Sequence, residues 1–113
     1  MQFEELAEQP VSVEIKMADG IFIKSHHAKL AWTWMPQHSH TYDHTSMIAR
    51  GAVRVWRDGW LMGDFIAPKG LLIEAGTKHM FVTLEDDTII YCIHNVSRTG
   101  DVEIADEHRI SGD

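Results

Sequence analysis

Three histidines lie within seven residues, in the segment HSHTYDH from His38 to His44, in a chain of 113 residues that contains eight histidines. Residues two apart in an extended chain share a face, so His38 and His40 point the same way, and His44 joins them if that face continues past a bend. Each neutral imidazole offers one nitrogen lone pair, and several such rings can hold a divalent cation. The same cluster could also be a solvated surface loop, and the spacing alone leaves both readings open.

The elements that must position these histidines are predicted to be short β-strands. Apolar and polar residues alternate in VSVEIKM, from Val11 to Met17, and a second extended segment is predicted from Ile21 to Pro36. Two further strand patterns, ARGAVRVW and WLMGDFIA, flank Asp58-Gly59, a pair typical of tight hairpins. Turns are also predicted at 68–70 and 85–87. Many short strands of this kind indicate an antiparallel sandwich or barrel.

Helical patterns are confined to FEELAEQ near the start and ADEHRI near the end, and both are short. A length of 113 residues fits one domain with a modest core, and the apolar runs are far shorter than a membrane span. The net charge of −7, with scattered Lys and Arg, argues against nucleic acid as a partner. One cysteine and an acidic N-terminal segment give no sign of export, so we expect a cytoplasmic protein.

Two motifs in the chain resemble those of the cupin superfamily. HSHTYDHTSMIARG resembles the first, in which HxH is followed by Glu and then by Gly; here His44 takes the Glu position and Gly51 is in register. EAGTKHMFVT resembles the second in Gly76 and His79. The chain departs from the family pattern at three positions, where Trp32, Glu74 and Thr83 replace Gly, Pro and Asn.

The resemblance implies an all-β fold, the cupin double-stranded β-helix or jelly-roll barrel, as a single domain over 1–113 with the motif core at about 32–95. It also implies one divalent transition metal per chain, bound by His38, His40, His44 and His79. This four-histidine set is similar to that of small manganese-binding cupins, so Mn or Fe is favoured, with Zn, Ni, Co and Cu also compatible. Asp43 is an alternative ligand to His44, but its offset from His40 is one residue short of the motif.

Other side chains are candidates for the same site. Tyr42 lies between the predicted ligands and is a candidate catalytic residue that exchanges a proton with substrate, or else a rim residue packed by its ring. A substrate pocket is predicted from the strand pattern and from aromatic content. Its candidate lining residues are Trp34, Trp56, Phe81, Cys92 and His94.

The resemblance covers enzymes and non-catalytic binders alike, because a fold does not fix a function. We expect a metal-dependent oxygenase or oxidase, dioxygenase-like, that acts on a small oxygenated organic molecule with O₂ as the other partner. The alternatives are a metal-dependent isomerase, lyase or cyclase, and a non-catalytic small-molecule-binding cupin. A homodimer is also expected, with VSVEIKM as a strand that could add to a partner's sheet edge.

Overall fold

The computed structural model describes residues 11–36 and 39–96, excluding the side chain of Pro36. These residues form nine β-strands: β1 (Val11–Ala18), β2 (Ile21–Ala28), β3 (Trp34–Pro36), β4 (His44–Arg50), β5 (Ala52–Arg57), β6 (Trp60–Ile66), β7 (Lys69–Ile73), β8 (His79–Thr83) and β9 (Thr88–Asn95). His38 and both segments with helical patterns lie outside the described residues. Within the described part of the chain, no helix is long and apolar enough to cross a membrane.

The strands form two antiparallel sheets. One has five strands in the order β1-β2-β9-β4-β7, and the other has four in the order β3-β8-β5-β6. Strands distant in sequence are neighbours, as where β9 pairs with both β2 and β4. The predicted all-β architecture is therefore confirmed, and its two sheets enclose one interior.

The tight hairpin predicted at Asp58-Gly59 is present between β5 and β6. Both residues have positive φ, 48° for Asp58 and 86° for Gly59, as a two-residue turn matched to the strand twist requires. The turn predicted at 85–87 separates β8 from β9, and Asp87 there has φ of 55°. Local turn chemistry in the sequence thus located these chain reversals correctly.

The extended segment predicted from Ile21 to Pro36 is interrupted, because β2 ends at Ala28 and β3 begins only at Trp34. Backbone hydrogen bonds to β8 form this break. Trp32, with φ of 64°, donates its N–H to the carbonyl of Thr83 at 2.6 Å. A contact with a strand 50 residues away is not encoded in the local alternation, so the pattern overestimated the length of the strand.

The core lies between the two sheets and follows from alternation along the strands. Inward-facing residues of both sheets pack into one cluster: Met35, Ile48, Val53, Val55, Leu71, Ile73, Phe81 and Ile90. Burial of apolar surface at these positions is the main favourable contribution to folding. The cluster also fixes the inner face of each strand, so that the orientation of every other residue can be read from it.

The two ends of the barrel differ in their buried residues. At one end, called here the threonine end, Thr33, Thr83 and Thr88 are completely buried. At the other, the histidine end, β4 and β8 begin with His44 and His79, and His94 lies next to the last residue of β9. Antiparallel pairing brings the start of β4 beside the end of β9, because Thr45 lies opposite Ile93, and it places the start of β8 opposite Arg57 at the end of β5.

Candidate functional site

The histidine end is lined from the five-stranded sheet by residues that alternate with solvent-facing ones. On β4, His44, Ser46 and Ile48 are buried in turn, and Ile48 belongs to the core cluster. His94 is four residues after the core residue Ile90 on β9, so its side chain points to the same face, the interior, and it is buried. Both imidazoles therefore lie inside the barrel, above the apolar core.

Tyr42 organises the rings at this end. Its ring stacks on His94 with a centroid distance of 3.7 Å and on His40 with a centroid distance of 5.2 Å. His40 in turn meets His44 edge to face at 5.0 Å. Because the Tyr42 side chain is buried, its ring holds the neighbouring imidazoles in place, whatever its hydroxyl does.

Two loops distant in sequence are hydrogen-bonded to each other at the histidine end. The N–H of Gly76 donates to the carbonyl of His40 at 2.9 Å, and the N–H of Ala75 donates to Oδ1 of Asp43 at 2.7 Å. The segment that carries His40 is thereby held against the loop that leads into His79. The carboxylate of Asp43 is used to join the loops, which makes His44 the better candidate for the ligand position.

His79 is 2% exposed and begins β8. The Thr77 hydroxyl donates its single proton to the Glu74 carbonyl at 2.6 Å and lies 3.3 Å from Nδ1 of His79. In that arrangement the hydroxyl oxygen accepts a hydrogen bond from the Nδ1–H of His79, and the lone pair of the neutral ring is left on Nε2. A hydrogen bond of this kind is the usual way in which a metal-binding histidine is oriented.

The charge state of His79 is set by its surroundings. Burial lowers its pKa, because removing the charged imidazolium from water is unfavourable, and the positive charge of Arg57 lowers it further. Asp58 and Glu74 act in the opposite direction. The net effect favours the neutral ring, which is the form that can bind a cation.

Within residues 11–36 and 39–96, no three His, Cys, Asp or Glu side chains converge into a group that could hold a metal ion. Of the predicted ligands, His40 and His44 are in edge-to-face ring contact. The fourth predicted ligand, His38, lies outside the described residues. The donors themselves, imidazoles gathered at one end of a barrel, suit a transition metal.

The predicted pocket residues fall into two groups. Phe81 and Cys92 face the interior together with His94; Phe81 belongs to the core, and Sγ of Cys92 lies 3.7 Å from the hydroxyl of Ser46. Trp34 directly precedes the core residue Met35, and Trp56 directly follows the core residue Val55. Because side chains alternate along a strand, both tryptophans lie on the outer face. Phe81, Cys92 and His94 thus lie on inner faces of the two sheets, whereas Trp34 and Trp56 lie on the opposite face of their strands.

Lys24 is a buried charged residue that the sequence pattern does not reveal. Its side chain is 5% exposed, and it lies opposite Cys92 on the inner face of the five-stranded sheet. In the segment IFIK, the isoleucines at 21 and 23 suggest that these two residues face the core and that Lys24 faces solvent. Only the pairing of β2 with β9 shows that the face with Lys24 is the enclosed one. A buried lysine thus occupies the row next to that of His94 on this face.

Arg57 is the second residue that sequence reasoning missed. It follows Val53 and Val55 on the inner face of β5 and lies opposite His79 on β8. Its Nη2 is 3.2 Å from Oε1 of Glu74, which directly follows β7 in the other sheet. The ion pair joins the two sheets across the histidine end, and because both side chains are about half exposed it contributes only about 0–1 kcal/mol.

Solved structures that share this architecture include cupins. The chain is similar to KdgF from Halomonas sp., at 15% identity and a TM-score of 0.63, over 81% of this chain and 87% of that one. A cupin superfamily protein from Desulfitobacterium hafniense matches at 14% identity and a TM-score of 0.64, with 79% and 80% of the two chains covered. An RmlC-like cupin with a double-stranded β-helix fold from Methanocaldococcus jannaschii matches at 12% identity and a TM-score of 0.64, over 88% of this chain and 94% of that one.

Searches of protein-family models and of curated proteins give no match to the sequence. At identities of 12–15%, the structural likeness shows the fold and not the activity. The fold is the cupin double-stranded β-helix, as the two sequence motifs predict. What the protein does must be inferred from its own residues.

Proposed function

We propose that this chain is a small metal-binding cupin that holds one divalent transition metal through His38, His40, His44 and His79. Its activity would be that of an oxygenase or oxidase on a small oxygenated organic molecule. Mn or Fe is the favoured metal, because both combine nitrogen ligation with redox chemistry. The observation that carries the proposal is the hydrogen bond from Gly76 to His40, which joins the loops bearing the two histidine motifs.

The four-histidine set supports this proposal through its charge. Four neutral ligands leave the full charge of a dication on the metal, whereas a carboxylate at position 44 would cancel part of it. Such an ion supplies Lewis acidity to an oxygen-bearing ligand and, as Mn or Fe, one-electron chemistry. The chain is strongly acidic overall, yet no carboxylate is buried among the described residues at this end.

The protein's own residues would bind and orient. The Thr77 hydroxyl keeps the lone pair of His79 on Nε2, and the stack of Tyr42 with His40 and His94 fixes ring orientations. The apolar residues below, Phe81 and Ile90, keep water out of the interior. Tyr42 remains a candidate proton donor or acceptor for a ligand at this end, with its ring held by stacking.

The test begins with protein purified without an affinity tag, whose metal content is measured by elemental analysis. The apoprotein is then loaded anaerobically with Fe(II) or Mn(II), given a panel of diketones, catechols and hydroxy acids, and exposed to oxygen. We expect about one metal per chain and substrate-dependent oxygen uptake that is lost in His40→Ala. A protein that takes up no transition metal at all would overturn the proposal.

A non-catalytic binding module is the second candidate. It is favoured by the lack of three converging metal-binding side chains within the described ranges. An isomerase, lyase or cyclase would instead bind the metal and turn substrate over without oxygen. Ligand binding without turnover supports the binding module, and turnover under anaerobic conditions supports the redox-neutral enzyme.

We also propose a cytoplasmic homodimer that pairs through β1. This eight-residue strand is at one edge of the five-stranded sheet formed by the described residues. Ile15 and Met17 lie on the same face as Val11, which packs against the core, yet both are exposed. A long edge strand with apolar residues is a common dimerisation element. Sedimentation of the wild type and of Ile15→Lys tests this, and two monomeric proteins would exclude it.

A further inference from the structure

Arg57 occupies a position that the proposed metal site does not use. Val53 and Val55, on the same face of β5, belong to the core, and the cross-strand partner of Arg57 on β8 is the buried His79. Residues directly opposite in an antiparallel pair share a face. The Arg57 side chain therefore leaves the backbone on the inner side of the four-stranded sheet, beside a predicted metal ligand.

Trp60 continues this row outward. It is the cross-strand partner of Arg57 on β6, so the row across the sheet runs from Trp60 to Arg57 to His79. The Trp60 side chain is 81% exposed, and Leu61 beside it is also exposed. A large apolar ring at the barrel rim, beside a cation that itself lies beside a histidine, offers a ligand apolar surface next to a charge.

The ion pair of Arg57 with Glu74 shows which kind of group the guanidinium binds. Glu74 places a carboxylate oxygen 3.2 Å from Nη2, and both side chains are accessible to water. An exposed pair of this kind is weak and exchanges readily. A planar guanidinium matches a carboxylate in a two-point contact better than any other common side chain does. The pair thus resembles a carboxylate site whose internal occupant can be displaced.

We propose that Arg57 binds the carboxylate of the ligand, that Glu74 is the internal competitor for it, and that Trp60 contacts the ligand's apolar body. The ligand class is therefore a small carboxylic acid with an apolar or aromatic body, and with further oxygen atoms that reach the histidines. This inference rests on the proposed function for the second set of oxygen atoms, but the carboxylate contact itself requires no metal.

The chain offers a matched control on the same strand. Arg54 also lies on β5 and forms a two-point ion pair with Asp64, at 2.7 and 3.0 Å, but on the outer face. Arg54→Gln and Asp64→Asn remove an equivalent charge and an equivalent pair without touching the histidine end. Any effect of net charge alone must appear in these variants as well.

The probes are mandelate, an aromatic hydroxy acid, and mandelamide, its uncharged counterpart. Their dissociation constants are measured by calorimetry near pH 8, with metal-loaded and metal-free protein, and the site of binding is followed by the NMR signals of Arg57, Glu74 and Trp60. We expect the wild type to prefer mandelate. Arg57→Gln should weaken mandelate binding about tenfold or more and leave mandelamide unchanged, as loss of a charged hydrogen bond predicts.

Glu74→Gln should strengthen mandelate binding, because the competitor is removed, whereas Arg54→Gln and Asp64→Asn should change nothing. Equal binding of acid and amide by the wild type, or an unchanged preference in Arg57→Gln, overturns the inference. The two proposals fail separately. If metal binds but the preference ignores Arg57, only this inference fails; if no metal binds and the preference still requires Arg57, only the metal site fails.

Discussion

The two ends of the barrel are built from the same strands, yet they treat buried polar groups differently. At the threonine end, the hydroxyl of Thr83 donates to the carbonyl of Leu30 at 3.0 Å and accepts the N–H of Thr33 at 2.9 Å. Thr33 donates to the same carbonyl at 2.6 Å. Donors and acceptors there are matched to one another, so the end closes the fold.

At the histidine end, the buried polar groups include the imidazoles of His44, His79 and His94. Hydrogen bonds there join the two loops and set the tautomer of His79. Burial of an imidazole without its charge keeps a lone pair available inside the barrel. Matched hydrogen bonding stabilises a fold, while a retained lone pair can bind a ligand. One end is therefore suited to stability and the other to function.

The largest expected effect is a difference in metal affinity between a variant at the histidine end and a variant at the threonine end. His79→Ala should weaken binding of a divalent transition metal about 100-fold or more, because loss of a direct ligand costs at least as much as loss of a residue that orients one. Thr83→Val, at the other end of β8, should leave the affinity unchanged. Competition with a chromogenic chelator measures both. Equal affinities for the two variants would count against His79 as a ligand.

The next effect concerns the fold at the threonine end. Gly51 has φ of 84°, and a Cβ there would overlap the side chain of Thr88. Gly51→Ala should lower the free energy of unfolding by about 3 kcal/mol, from backbone strain and overpacking together. Denaturant unfolding of the apoprotein measures it.

Gly59→Ala is the matched control for this prediction. Gly59 has φ of 86°, and nothing lies within 4 Å of the position its Cβ would take. It should therefore cost only the strain of the left-handed conformation, about 1 kcal/mol. If the two variants lose the same stability, contact with Thr88 does not restrict position 51.

A smaller effect is expected from one hydroxyl. Thr83→Val keeps the side-chain shape but leaves the buried N–H of Thr33 without its acceptor. The free energy of unfolding should fall by about 2 kcal/mol, the usual cost of an unsatisfied buried polar group. Thr45→Val, on the outer face of β4, should change it by less than about 0.5 kcal/mol. Thermal unfolding measures the stability of both variants. If Thr83→Val loses no more stability than Thr45→Val, the threonine end is not held by matched hydrogen bonds.

The smallest effect is a pH dependence at the histidine end of the apoprotein. The pKa of His79 is lowered in the folded state, mainly by burial and further by Arg57, against the opposing charges of Asp58 and Glu74. The unfolded chain therefore binds a proton near pH ~6.5 and the folded chain only at lower pH. Stability from this residue is present above about pH 6.5 and is lost as the pH falls through the lowered pKa. His79→Gln should flatten this part of the profile; an identical profile would exclude His79 as its source.

Much of the fold could be predicted from the sequence, because strands and tight turns are encoded over a few residues. The Asp58-Gly59 turn and the separation of β8 from β9 lie where local chemistry places them. The break between β2 and β3 could not be predicted, because Trp32 is turned by a hydrogen bond to Thr83. The motifs gave the order and spacing of His40, His44 and His79, but not that His44 and His79 begin β4 and β8.

What the sequence by itself determined is the set of residue types and the local period: an all-β chain, two histidine motifs in order, and their cupin-like spacing. Only the tertiary structure decided which face of each strand is enclosed. Lys24 and Arg57 face inward, and Trp34 and Trp56 outward, because pairing with β9 and β8 fixes each strand's register. Alternation gives the period of a strand but not its inner face when both faces carry apolar residues, so the environment of the site arises from contacts between distant strands.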